Sequence, residues 1–371
     1  MSIGQGIGRR RVLQGAAAGL AGAAIGTGAA RAAGKLTVGF IYVGSETDYG
    51  YNQAHAEGAK AVRAMPGVSV VQQAKVPETV AVANTMGSMI NLDGATLLFP
   101  TSFGYFDPYV LKAAKANKKV TFMHCGGLWK AGEPTNAHSY FGYIDEAVYV
   151  SGIVAGHMTK TKKFGFIAAK PIPQVLRNIN AFTLAAQSVD PSITTQVIFT
   201  GDWFMPVREA EATNSLADQG VDVITCHVDS PKVVMETAEK RGLFTCGYHT
   251  NQAVLAPKGY LTGAEWNWPH VYPDFVTAIM AGKTLPNMIR GGFKDGFVRN
   301  SAYNAIVPDA ARKQADAVRA KFTAGDVVIF KGPLKDNKGK IVIPAGTTMG
   351  ERDVALESMN YLVAGVSGST S

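Results

Sequence analysis

The chain has 371 residues, 47% of them hydrophobic and 17% charged, with a formal net charge of +8. It is long enough for two domains of ordinary size, and no apolar stretch is long enough to span a bilayer. Arg9, Arg10, Arg11 and Arg31 carry half of the excess charge; without residues 1–32 it falls to +4, and no basic stripe remains to suggest a nucleic-acid partner.

Residues 1–33 read as an export signal. Gly8-Arg9-Arg10-Arg11-Val12-Leu13-Gln14 contains a twin arginine, one spacer and two apolar residues, the pattern of twin-arginine export. An Ala- and Gly-rich run follows, with only Leu20 and Ile25 as larger apolar residues, which is less apolar than a Sec signal. Ala30-Arg31-Ala32 supplies a small-x-small cleavage site. The expected product is periplasmic, and no cysteine near the cut suggests a lipid anchor.

From Leu36 onward, short β-rich runs alternate with amphipathic helical stretches, the pattern of parallel α/β sheets. Leu36–Val43, Val68–Gln73, Ala95–Pro100 and Lys119–Met123 read as strands, with helices at Asn52–Ala64, Val80–Asn91 and Pro108–Ala116. A long helix, Asp145–Thr159, carries the chain onward. A second series of strands follows at Lys163–Ala169, Thr194–Thr200, Val221–Cys226 and Leu243–Cys246. Its helices are Gln174–Gln187, Val207–Gln219 and Pro231–Arg241. Gly259–Glu265, a helix at Tyr272–Ala281 and a polar tail complete the chain. The tail holds a hairpin, Val327–Pro344, turning at Asp336-Asn337-Lys338-Gly339. Two similar series imply two doubly wound, Rossmann-like α/β lobes with parallel sheets, joined by crossover segments. Each is discontinuous: residues 34–150 with about 268–295, and 151–267 with about 296–365.

Three cysteines, Cys125, Cys226 and Cys246, are an odd number for an oxidising compartment. Cys226 and Cys246 end successive strands, where a disulfide is conceivable; buried thiols are the plainer reading.

In open α/β sheets, ligands bind beyond the carboxyl ends of the strands. Those positions here carry Asp48, Tyr51 and Asn52, then Phe103 and Tyr105, Trp203 and Phe204, His249, Trp266 and Asn267. The loops are rich in aromatics, amides and single carboxylates and poor in Lys and Arg. Flat aromatic faces suit a planar heterocycle, and amides and carboxylates suit its polar edges. A phosphorylated ligand calls for Arg or a glycine-rich helix start, and the first turn has no GxGxxG; no cofactor is expected. An amino acid calls for an Arg on its carboxylate. Plainer readings stand beside these. A lone aromatic fills lobe contacts more often than it meets ligand, and Asp48 and Asp107 stand where they cap the helices after them. His227 beside Cys226, with Cys246-x-x-His249, has no recognised zinc spacing, so no metal is expected.

At these loops the chain resembles the basic membrane protein family of ABC-importer binding proteins, which includes bacterial purine-nucleoside receptors. The resemblance covers essentially the whole chain after the export signal. It rests on Asp48-Tyr49-Gly50-Tyr51-Asn52-Gln53, Ser102-Phe103-Gly104-Tyr105, Gly152-Ile153-Val154-Ala155-Gly156 and the Trp203-Phe204 loop. Pro171-Ile172-Pro173, Asn178-Ile179-Asn180-Ala181-Phe182 and Trp266-Asn267-Trp268 resemble a purine-base-binding branch. The resemblance implies a type I periplasmic binding protein fold. It also implies a base sandwiched between Tyr51 and Phe204, with Asp48 and Asn52 on the ligand and Asn180 in the site motif. Relatives that hold a ribose carry an Asp and a Lys where this chain has His249 and Trp266. Loss of that charge pair, with an indole in its space, implies a free base such as adenine rather than a nucleoside.

The expected protein is therefore a monomeric receptor that hands a small purine ligand to a membrane permease. The nearest alternative is a purine-nucleoside receptor of the same family; a sensory receptor has the same features. The competing class is an exported nucleoside hydrolase, which needs a general base with an activated water or nucleophile. The sequence offers no nucleophile elbow, metal motif or close carboxylate pair.

Overall fold

The computed structural model describes residues 36–370, so the export-signal reading lies outside the described residues. The first series contains β1 (Leu36–Ile41), α1 (Tyr51–Arg63), β2 (Val68–Gln73), α2 (Val80–Asn91) and β3 (Leu97–Pro100). It ends with α3 (Leu111–Ala116), β4 (Thr121–Cys125) and β5 (Ala137–Gly142). The second contains α4 (Asp145–Met158), β6 (Lys163–Ala168), α5 (Pro173–Val189), β7 (Thr194–Phe199) and α6 (Pro206–Asp218). It continues through β8 (Val223–His227), α7 (Lys232–Lys240), β9 (Phe244–His249) and β10 (Tyr260–Trp266). Then come α8 (Trp268–Met280), β11 (Met288–Gly291), β12 (Val298–Asn300) and α9 (Asp309–Ala324). The tail adds β13 (Phe330–Lys331), β14 (Leu334–Lys335), β15 (Ile341–Ile343), β16 (Thr348–Met349) and β17 (Val366–Ser367).

Most strands form two large sheets, ordered β11-β5-β4-β3-β1-β2 and β12-β10-β9-β8-β6-β7-β17, and the tail adds the pairs β13-β16 and β14-β15. All neighbours in the first sheet are parallel, and the second departs from parallel only at β10–β12. Central strands are apolar on both faces because helices cover both sides, as in β3, β4 and β8. The chain passes between sheets three times: after β5 at Tyr143-Ile144, after β10 at Asn267, and between β11 and β12. α4 packs against α5 and α9 and belongs to the second sheet, so the first passage lies just ahead of it.

Several elements differ from the sequence expectation. β5 was not expected, because Ala-His-Ser-Tyr-Phe-Gly holds no β-branched residue and no alternation. α9 lies in what reads as a polar tail, although Pro308 precedes it, Gly325 ends it at φ +85, and Ala311, Ala315 and Phe322 are buried at helical spacing. The helix expected at Pro108 starts irregularly, with Asp107 outside helical geometry (φ −114, ψ 122), and becomes regular at Leu111. That extended geometry suits a cap, but the Asp107 carboxylate accepts no amide among the described residues, so the expected cap does not form. The tail hairpin forms as β14 and β15, with Asp336 Oδ1 accepting from the Lys338 and Lys340 amides and Gly339 at positive φ. All three cysteines are buried free thiols.

At the second passage, three aromatic planes stack in sequence. Trp266 lies 4.9 Å from Trp268 at 13°, and Trp268 lies 5.5 Å from Tyr272 at 3°. Tyr140 meets Trp268 edge-on, and its hydroxyl hydrogen-bonds that of Tyr272 at 2.6 Å. Trp268 is fully buried, and its indole N–H finds no acceptor among the described residues. Trp268→Ala is expected to lower stability by about 3–5 kcal/mol, seen as a lower denaturant midpoint at unchanged slope. Trp268→Phe should lose less than half of that, because it keeps a ring and removes the orphaned N–H. Equal losses in the two variants would assign the effect to something other than the stack.

Candidate functional site

The first strand ends at Ile41, and the loop after it is shaped by its own side chains. Asp48 accepts from the main-chain amides of Gly50 (2.8 Å), Gln53 (3.0 Å) and Asn52 (3.1 Å), capping α1. Asn52 donates to Asp48 at 2.7 Å and accepts from the Gly44 amide at 3.0 Å. This loop turns Tyr51 into a cleft, where its hydroxyl donates to the Thr101 carbonyl at 2.6 Å.

The cleft lies between the carboxyl ends of the two sheets and holds about 440 Å³, its open side included. The first sheet contributes Tyr51, Ser102, Phe103, Cys125 and Phe141. The second contributes Gln174, Trp203, His227, Asp229, Tyr248, His249 and Trp266. Six of these twelve are Tyr, Phe or Trp, so half of the lining residues offer flat aromatic surface.

The polar groups in that wall are largely engaged with protein. His249, at φ +77, accepts at Nδ1 from the Trp266 indole (2.8 Å). Its proton therefore sits on Nε2 and donates to the Val228 carbonyl at 3.1 Å. Asn178 donates to His227 Nδ1 (2.9 Å) and to the Tyr248 hydroxyl (2.8 Å), leaving His227 Nε2–H facing Tyr248 at 3.3 Å. Ser102 donates to Glu78 at 2.6 Å. Burial holds His249 well below the ordinary histidine range and pushes His227 down to about 3, so both are neutral. Burial likewise pushes the Cys125 thiol up to about 12. No general base or ready nucleophile results from this set.

Main chain meets main chain across the cleft mouth. The Tyr51 amide donates to the Asp229 carbonyl at 2.8 Å. Ser230 donates to the Asp48 carbonyl, and Gln252 to the Tyr49 carbonyl, each at 2.7 Å. A Cβ at Gly50 would stand 1.9 Å from the Asp229 carbonyl oxygen, so this approach requires glycine. At the opposite end a second space of about 330 Å³ shares Phe141, Gln174, His227 and Tyr248 with the cleft. It is bounded by Arg177, paired with Asp145 at 2.8 Å and with Glu351 at 3.2 Å, and by Glu357, which holds Arg290 through both oxygens.

Of the residues expected in the site, Tyr51, Phe103, Trp203, His249 and Trp266 line the cleft together. Six do not. Asp48 and Asn52 build the loop, and Tyr105 is buried with its hydroxyl on the Val76 carbonyl. Phe204 is 57% exposed outside the cleft, its neighbour Trp203 having turned inward. Asn267 donates to the Gly296 carbonyl, and Asn180 holds the tail at the Tyr361 carbonyl and the Val363 amide. Seven further residues line it. Ser102, His227, Asp229 and Tyr248 fall in the strand-end loops where ligand is expected, though not singled out within them. Cys125 and Phe141 depend on β4 ending two residues later than expected and on β5. Gln174 sits in the first turn of α5.

Residues 35–331 match the family described as ABC transporter substrate-binding protein, PnrA-like. The chain belongs to this family. A purine-binding protein of Brucella abortus is 36% identical over 342 residues, which cover 91% of this chain and 95% of that one. The ABC transporter nucleoside-binding protein BmpA of Lactococcus lactis is 27% identical over 131 residues, 35% of this chain and 36% of that protein. An ABC transporter solute-binding protein of Conexibacter woesei shares the fold at TM-score 0.65 and 20% identity, covering 79% of this chain and 97% of that one. The two lobes are those of a type I periplasmic binding protein. This substrate-binding protein is a receptor and not an enzyme, and proteins of its kind work outside the cytoplasm.

The neutral histidines make stability depend on acid. His227 binds its proton in the unfolded chain near pH 6.5 but in the folded one only near pH 3. Its contribution is present above the higher value and is lost as pH falls toward the lower one. In denaturant titrations, His227→Gln should show a shallower loss of stability between pH 6.5 and pH 4 than the wild type. An unchanged slope would show that His227 does not carry it.

Proposed function

We propose that this protein is the periplasmic receptor of an ABC importer for a purine base, adenine above others. The supporting observation is the cleft wall: flat aromatic faces from both lobes, with most polar groups already bonded to protein and few left free to meet a ligand. A planar heterocycle gains stacking on such a wall and asks for few hydrogen bonds. The purine-binding relative, which matches nearly end to end, points the same way. A ribose brings hydroxyls that need partners, and an unpaired buried polar group costs about 1–3 kcal/mol. Trp266 and His249 satisfy each other and offer a sugar nothing, which disfavours the nucleoside reading. The aromatic pair we assign to ligand stacking is Tyr51 and Trp203, in place of Tyr51 and Phe204.

Calorimetry on refolded, ligand-free protein with adenine, hypoxanthine, guanine and adenosine tests this. Adenine should bind tightest, and adenosine at least tenfold more weakly, which is about 1.4 kcal/mol. Tyr51→Ala and Trp203→Ala should each weaken adenine by about 1–3 kcal/mol, while Phe204→Ala changes nothing. If adenosine equals or exceeds every base, the nucleoside reading replaces this one.

The periplasmic location rests on the twin arginines. Arg9→Lys combined with Arg10→Lys should leave uncleaved precursor in the cytoplasm on fractionation. Normal export of that variant would move the protein to the Sec route and leave the binding site unaffected.

A further inference from the structure

With the other polar groups of the wall engaged, three side-chain groups in the cleft have no hydrogen-bond partner among the described residues. They are the Asp229 carboxyl, the Gln174 amide and the Trp203 indole N–H. Asp229 alone of these is ionisable. Its main chain is pinned, with the amide donating to the Trp203 carbonyl and the carbonyl accepting from Tyr51, both at 2.8 Å. The carboxyl therefore projects from a fixed point between the two aromatic residues that wall the cleft.

We infer that Asp229 reads the edge of the ligand as a carboxylic acid, its O–H donating to a ring nitrogen while its carbonyl oxygen accepts from the neighbouring N–H. This rests on the purine reading and specifies the chemistry within it. The required edge is an unprotonated ring nitrogen beside an N–H, which a 6-aminopurine presents. On its N1 edge a 2-amino-6-oxopurine presents two adjacent donors, which suit an ionised carboxylate.

The surroundings favour the neutral acid. The charges that act most strongly on Asp229 are those of Asp48, Glu78, Asp202 and Glu209, all acids. The nearby cations are occupied elsewhere. Lys170 pairs with Asp202 at 2.8 Å, Lys232 lies over the Tyr49 ring and near Glu236, and Arg208 donates to the Thr200 carbonyl. The facing histidines, His227 and His249, are neutral. Burial, and then those four like charges, hold the Asp229 proton on well above the ordinary carboxyl range. Ligand that pairs with the protonated form binds with constant affinity below the pKa of the free receptor. As pH rises through that value the affinity falls, by at most tenfold per pH unit for one proton.

The test is adenine binding by calorimetry from pH 5 to pH 9 on wild type, Asp229→Asn and Asp229→Ala, with melting temperatures confirming that each variant is folded. A carboxamide offers one donor and one acceptor to the same edge but does not titrate. Asp229→Asn should bind adenine within about threefold of wild type at low pH and show no decline with rising pH, whereas Asp229→Ala should be weaker by about tenfold or more. Asp229→Asn as weak as Asp229→Ala, or wild-type affinity that rises with pH, would overturn the acid form. Adenine affinity unchanged in all three proteins would remove Asp229 from recognition while leaving the purine reading intact. No purine binding by the wild type at any pH would overturn the purine reading itself.

Discussion

The hydrogen bond from the Trp266 indole to His249 Nδ1 sets the character of the cleft. The two residues end adjacent parallel strands, β10 and β9, so the bond ties two strand ends side by side. It fixes the histidine tautomer, and the Val228 carbonyl takes the remaining proton. It also holds His249 at a positive φ that a non-glycine residue adopts only at a cost of about 1–3 kcal/mol. With the indole N–H used inward, Trp266 offers the cleft only ring surface. That ring packs onto Gly142 at the end of β5 and stacks on Trp268, so a wall of the second lobe is continuous with the core of the first. Charging His249 would bury an unpaired cation beside Tyr51 and Trp266, which the surrounding apolar contacts make costly.

The fold was readable in the sequence wherever apolar period and turn chemistry agree. β2 and α2 fall where expected residue for residue, because β-branched runs and helical spacing are bounded by clear breakers. β5 was hidden because a strand buried on both faces and built from Ala, His, Ser, Tyr and Phe carries no alternation. α9 had both end signals and was missed by weighing its charges above its buried spacing. The site was about half readable, for a different reason. Strand ends locate it, but Trp203 and Phe204 are consecutive in an irregular loop, and no period decides which faces inward. A bond from the Asp229 amide to the Trp203 carbonyl accompanies that choice, a contact between loops distant in sequence. Asp48 shows the opposite failure: its own neighbouring amides satisfy its carboxylate before any ligand can.

The family match ends at residue 331, and the tail beyond it is an ordered part of the second lobe. β17 pairs with β7 at Thr195 and Gln196, covering part of that strand with a short edge strand. On the way, Glu357 grips Arg290 of β11 in the first sheet, and Arg352 holds Asp295 between β11 and β12. Glu351 shares Arg177 with Asp145. Buried pairs of this kind add little net stability, yet separating one leaves a charge stranded. The molecule is thus asymmetric. One flank of the cleft is fastened by ion pairs from the tail, and the other is joined by uncharged contacts at Asp48, Tyr49 and Tyr51.

Those uncharged contacts have a consequence for how such a receptor changes over time. One of them joins backbone to backbone, through a gap that exists only because residue 50 lacks a side chain. Its partner is the carbonyl of Asp229, whose carboxyl faces the ligand space, so one residue serves both duties with separate atoms. A substitution at position 229 alters what is recognised and leaves the meeting of the lobes as it was. A substitution at position 50 does the reverse. Recognition and the meeting of the lobes are therefore separately mutable, and a lineage can change what is bound without altering how the lobes touch.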